Sequence, residues 1–142
     1  MNPFNFSDTF TDIPPEPEPT FEEQKTTALS CARRSFADAR KSARATVQIS
    51  SGDITINADD AAAANVNGLL LTLSDDGAVS FRNAANGFQD ASREDLEAMR
   101  VAIAHRQQEL LREKWRLVEQ LNAAATPEEL NAIAIGGWFL NQ

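Results

Sequence analysis

One cysteine and one histidine are all the soft metal ligands in this 142-residue chain. No CxxC or Cys/His pair exists to hold zinc, and Cys31 has no partner for an internal disulfide, so a reducing compartment suits the protein best. No apolar run approaches the roughly 20 residues that a membrane-spanning helix needs. The first residues (Met1, Asn2, Pro3, Phe4, Asn5, Phe6, then acids) lack the basic start and apolar core of a signal peptide, so export is not expected. Strings of the GxGxxG, GxxxxGK or GxSxG kind are missing too, which removes the usual phosphate cradles and nucleophile elbows. These absences predict a protein that is not an enzyme and needs no metal or cofactor.

What is present is enough for one domain. Hydrophobic residues make up 42% of the chain, sufficient for a real core at this length. The net charge of -8 disfavours nucleic acid as a partner, because phosphate contacts require clustered lysine and arginine. Its distribution is uneven. Asp8, Asp12, Glu16, Glu18, Glu22 and Glu23 give the first 23 residues -6 with no compensating base, whereas residues 25–44 carry six bases against Asp38 alone, a net +5. An acidic arm precedes a basic helix.

Five of the six prolines lie in the first nineteen residues and favour an extended course. Residues 1–21 therefore read as an arm and residues 22–142 as a single domain. The arm also carries Phe4, Phe6, Phe10, Ile13 and Phe21, apolar anchors that pure linkers seldom have; docking on their own domain and docking on a partner are both open. From Glu22 to about Arg44 the apolar residues Ala28, Leu29, Ala32, Phe36, Ala39 and Ala43 recur at helical steps. Thr46–Ile49 and Ile54–Ile56 alternate β-branched with polar residues around Ser50, Ser51, Gly52 and Asp53, the pattern of a short hairpin. Asp59 or Asp60 can cap a helix that the alanines at 61–64 continue towards Leu73. Asn86 and Gly87 mark a second hairpin between Val79, Phe81 and Phe88.

Ser92 and Asp95 resemble a capping box, and Leu96, Met99, Ile103, Leu110, Trp115, Val118 and Leu121 follow at helical spacing to about Asn122. A helix of roughly 30 residues is about 45 Å long, more than a domain of this size covers, so part of it is expected to project or to pair between subunits. Thr126, Pro127, Glu128 and Glu129 start a last short helix through Ile135, which Gly136 and Gly137 stop. Trp138, Phe139 and Leu140 then place three large apolar groups near one another, where a cover is needed: the same domain, or a partner.

No chemistry-bearing cluster stands out. His105 lies inside the long helix without a nucleophile or a second histidine at useful spacing, and Cys31, although near Arg33 and Arg34, reads as a small packing residue. The carboxylate pairs Asp59–Asp60, Asp75–Asp76 and Glu94–Asp95 fall at helix starts or turns, where capping explains them. Charges at 109–119 alternate in sign as on solvated helices and coiled-coil flanks, with like-charged pairs Glu109/Glu113 and Arg112/Arg116 one turn apart.

The run from Lys25 to Ile135 resembles a small domain of unknown function associated with phage and prophage tail genes. The resemblance is carried by the second hairpin (Phe81, Arg82, Asn83, Ala84, Ala85, Asn86), by Ala104 and His105 in the long helix, and by the closing Leu117, Asn122, Ala123, Ala124, Thr126, Glu128, Glu129 and Leu130. Phe81 replaces the tryptophan of the pattern, and Ala85 replaces an aspartate. The fold expected is α+β, mainly helical, with a long helix in the C-terminal half and two small hairpins. The resemblance implies a phage tail fibre assembly chaperone or accessory protein acting by protein–protein binding in the bacterial host cytoplasm. The alternatives are a structural adaptor retained in the virion tail and, from charge alone, an acidic inhibitor of a host protein. The expected partner is a tail fibre protein, not nucleic acid or membrane, with homo-oligomerisation through the long helix as a second use. The expected partner-binding residues are Phe4, Phe6, Phe10, Leu110, Trp115, Trp138 and Phe139.

Overall fold

A computed structural model describes residues 16–141. The order is helix α1 (Phe21–Lys41), strands β1 (Arg44–Ile49) and β2 (Gly52–Asn57), helix α2 (Asp60–Thr72), strands β3 (Ala78–Arg82) and β4 (Phe88–Ser92), helix α3 (Arg93–Ala123), a one-turn helix α4 (Pro127–Asn131) and a 3-10 turn at Trp138–Asn141. This is the α+β fold expected, with the long helix and two small antiparallel hairpins in place.

Each helix begins at a side chain able to accept from its otherwise orphaned N–H groups. Thr20 Oγ1 accepts from Glu23, Asp59 Oδ1 from Ala62, Ser92 Oγ from Asp95 and Thr126 Oγ1 from Glu129. At α3 the capping box is complete, because Asp95 Oδ2 also accepts from the Ser92 N–H at 2.9 Å. Phe21, which the sequence places at the end of the arm, is the first residue of α1 and packs half-buried on the core. At its other end α1 stops three residues short of Arg44, because Arg44 opens β1 opposite Asn57. The last short helix likewise ends at Asn131 rather than Ile135.

In the first hairpin Ile49 faces Gly52 across Ser50 and Ser51, and Gly52 takes a φ of 117°, a region that residues with a Cβ rarely adopt. The second closes a longer loop through Asn83, whose Oδ1 accepts from the N–H groups of Ala85 and Gly87, while Asn86 sits at φ 66°. The hairpins stay separate sheets but touch: the Ala84 N–H donates to the Thr55 carbonyl at 2.8 Å.

Helix α3, 31 residues and about 46 Å long at the usual rise, packs against α1, α2, β1 and β4. Leu96, Met99, Ile103, Leu110, Leu117 and Leu121 are fully buried on one face, so its inner side is covered almost from end to end. The expected projection beyond the domain is not seen; what the helix leaves open is its other side. Phe36, Ile54, Ile56, Val66 and Leu130 meet the inner face as parts of one core. The α2 terminus is closed by Arg93, whose Nη1 donates to the carbonyls of Leu70 and Leu73, both at 2.9 Å.

Candidate protein-binding surface

Two stripes of different character run along α3. The inner one was legible as Leu96, Met99, Ile103 and Leu110, but Trp115 does not continue it. Counting back from Trp115 in helical steps gives Leu111, Gln108, Ala104 and Val101, all exposed and all turned away from the core. Val101 is 63% exposed, Leu111 40% and Trp115 59%. Val118, half-buried, prolongs the stripe. Three large apolar side chains at such spacing on one helix face form a continuous patch, unlike the exposed Leu71, Phe88 and Leu140, which lie apart from one another on α2, β4 and the last turn.

One end of this patch is anchored by aromatic contacts. Lys114 Nζ lies 4.8 Å from the centre of the Phe36 ring and 5.6 Å from that of Trp115, so the cation sits against both. Phe36 in turn meets Phe139 at 5.9 Å between centroids, tilted by 53°. Trp138 Nε1 donates to the Glu113 carbonyl at 3.0 Å, fixing the last turn to α3. Trp115, Trp138 and Phe139, far apart in sequence, thus converge on the junction of α1, α3 and the 3-10 turn.

The partner-binding residues expected from sequence therefore divide. Trp115 is exposed and available. Trp138 is half-buried. Leu110, 1% exposed, and Phe139, 7% exposed, are withdrawn from the set: both belong to the chain's own core and have no surface to offer. Phe4, Phe6 and Phe10 lie outside the described residues. Val101, Ala104, Gln108 and Leu111 were missed although the spacing from Trp115 contains them.

The polar groups serve structure. His105 is exposed, its Nδ1 2.9 Å from Glu109 Oε1 one turn on. Among the described residues no three His, Cys, Asp or Glu side chains gather to hold a metal ion, and no helix is long and apolar enough to cross a membrane. A polar cleft of about 370 Å³ between α2 and the second hairpin is lined in part by Asp59, Asn65, Arg82 and Asn83. Asp59 and Asn83 are already engaged there, as a helix cap and as the closure of a loop.

Asp95 is the one group with a displaced pKa. Burial by itself raises it, but hydrogen bonds from the Ser50 hydroxyl, the backbone N–H groups of Ser92 and Ser50 and the Ser92 hydroxyl outweigh that effect and hold the carboxyl below its ordinary value. It thereby ties the tip of the first hairpin to the start of α3.

Fold and surface together define a small α+β protein built on one long helix, buried along one face and apolar along part of the other. The chain belongs to a family described as a domain of unknown function (DUF4376), whose model matches residues 30–134. The match takes in both hairpins, α2, all of α3 and the outer stripe. Comparison with curated proteins and with solved structures found no match.

Proposed function

We propose that the protein is a binding accessory of phage tail fibre assembly, which covers apolar fibre surface through the outer stripe of α3. The observation that carries this reading is the apolar patch of Val101, Leu111 and Trp115, presented on a helix whose inner face is locked into the core and is thus a rigid platform. A rigid aromatic anchor within an apolar stripe is the composition of a protein-binding hot spot. The resemblance of Lys25–Ile135 to domains associated with tail genes supplies the identity of the client, and the lack of a metal cluster among the described residues is compatible with action by binding.

Co-expression with the neighbouring fibre gene, followed by size-exclusion chromatography with light scattering, tests it. A complex whose formation keeps the fibre soluble and is lost on Trp115→Ala supports the reading. A fibre that is equally soluble without this protein, and never elutes with it, sinks it; recovery of the protein in purified particles replaces it with the virion adaptor.

A further inference from the structure

The outer stripe has the repeat of a coiled-coil seam. Val101, Ala104, Gln108, Leu111, Trp115 and Val118 alternate steps of three and four, the a/d spacing that keeps one line of side chains facing a second helix. Such a line suits a partner with the same repeat, and the sequence of sizes along it shows which one. If the stripe meets a copy of itself antiparallel, a and d positions face each other in layers. Val101 then lies opposite Val118 of the second copy, Gln108 opposite Leu111, and Trp115, the largest side chain in the line, opposite Ala104, the smallest. A parallel pair would instead set Trp115 on Trp115 and Ala104 on Ala104, two large groups in one layer and a gap in another. Gln108 puts one polar group near the centre, as coiled coils do where register is fixed at some cost in stability.

We infer that the outer stripe of α3 pairs antiparallel with the same stripe of a second copy of this chain. From Val101 to Val118 the seam is about 25 Å long and one helix diameter wide, well below the ~800 Å² per partner of a standard interface. The dimer is therefore weak and exchangeable, so that a client helix or apolar surface can displace the second copy. The inference rests on the stripe being a binding face, but not on the client being a fibre.

The test uses the full chain with Cys31→Ser, so that introduced thiols are the only ones. Sedimentation equilibrium at rising concentration should show monomer passing to dimer. Trp115→Ala should weaken self-association about tenfold or more, Ala104→Trp should abolish it by filling the space Trp115 occupies, and Gln108→Leu should strengthen it. All three positions are exposed, so circular dichroism and the unfolding midpoint of each variant should match the parent. On mixing Val101→Cys with Val118→Cys chains, the disulfide should form between unlike chains in preference to Val101→Cys with itself. Monomer at every concentration up to the millimolar range, or preferential cross-linking of like chains at position 101, overturns the inference. Absence of the dimer together with a fibre complex that needs Trp115 leaves the proposed function standing; a dimer with no fibre complex does the reverse.

Discussion

Asp95 shows how much one carboxylate can hold. It completes the capping box of α3 and accepts from both the backbone and the hydroxyl of Ser50, 45 residues earlier. Because its folded pKa lies below the unfolded one, its stabilisation is fully present above the unfolded value and is lost as pH falls through the folded value. Asp95→Asn should cost about 1–3 kcal/mol at neutral pH, from the loss of charge-assisted bonds and the mismatch of an amide N–H with these donors. In urea titrations the gap between parent and variant should shrink as the pH is taken down through the acid range; a gap that stays constant contradicts the linkage. Leu110 supplies the apolar counterpart. At 1% exposure, Leu110→Ala should cost about 2–5 kcal/mol and Leu110→Asp should abolish cooperative unfolding, whereas a change confined to oligomeric state would mean the residue faces another subunit. The capping half of Asp95's role is written locally, as a serine three residues before an acid. Its bond to Ser50 is not, since no spacing rule links a hairpin tip to a helix start 45 residues away. Leu110 and Trp115 pose the same difficulty: both fit a helical period, and only the position of α1, α2 and β1 around α3 decides which is core.

The elements themselves were largely legible because their ends carry chemistry. Thr126, Pro127 and Glu129 start α4 where expected, and Ser92 starts α3. The end of α1 was misread for a physical reason: residues 40–45 contain no glycine or proline, and alanine and arginine are good helix formers. What stops the helix is the pairing of Arg44 with Asn57 in the hairpin that follows, a tertiary gain that overrides local preference. The end of α2 has a different device. It has no basic residue in its last turn, and Arg93 closes it from the next helix. Arg93→Ala should fray that turn, with faster hydrogen exchange at the last amides of α2 and a loss of about 1–3 kcal/mol in stability; protection equal to the parent's would show that solvent satisfies these carbonyls equally well. Asp75, 3.6 Å from Arg93 and almost fully exposed, contributes little to that cap.

At the scale of the whole molecule, charge and packing separate the arm from the domain. The packed unit starts at Thr20, which caps α1, and at Phe21, which joins the core, while residues 16–20 are exposed. The domain therefore has its own N-terminal closure and does not draw its core from what precedes. Removing residues 1–15 should leave the thermal midpoint within a degree or so, since surface changes away from packed or capped groups are usually worth less than about 0.5 kcal/mol. The same deletion takes away Phe4, Phe6 and Phe10, together with Asp8 and Asp12. If those phenylalanines contribute to fibre capture, the truncated protein should bind its client more weakly while self-associating through α3 as the full chain does. Calorimetry and the co-expression assay run on one preparation separate the two effects. A large drop in midpoint would move the arm into the core, and unchanged fibre capture would leave α3 as the whole of the binding surface.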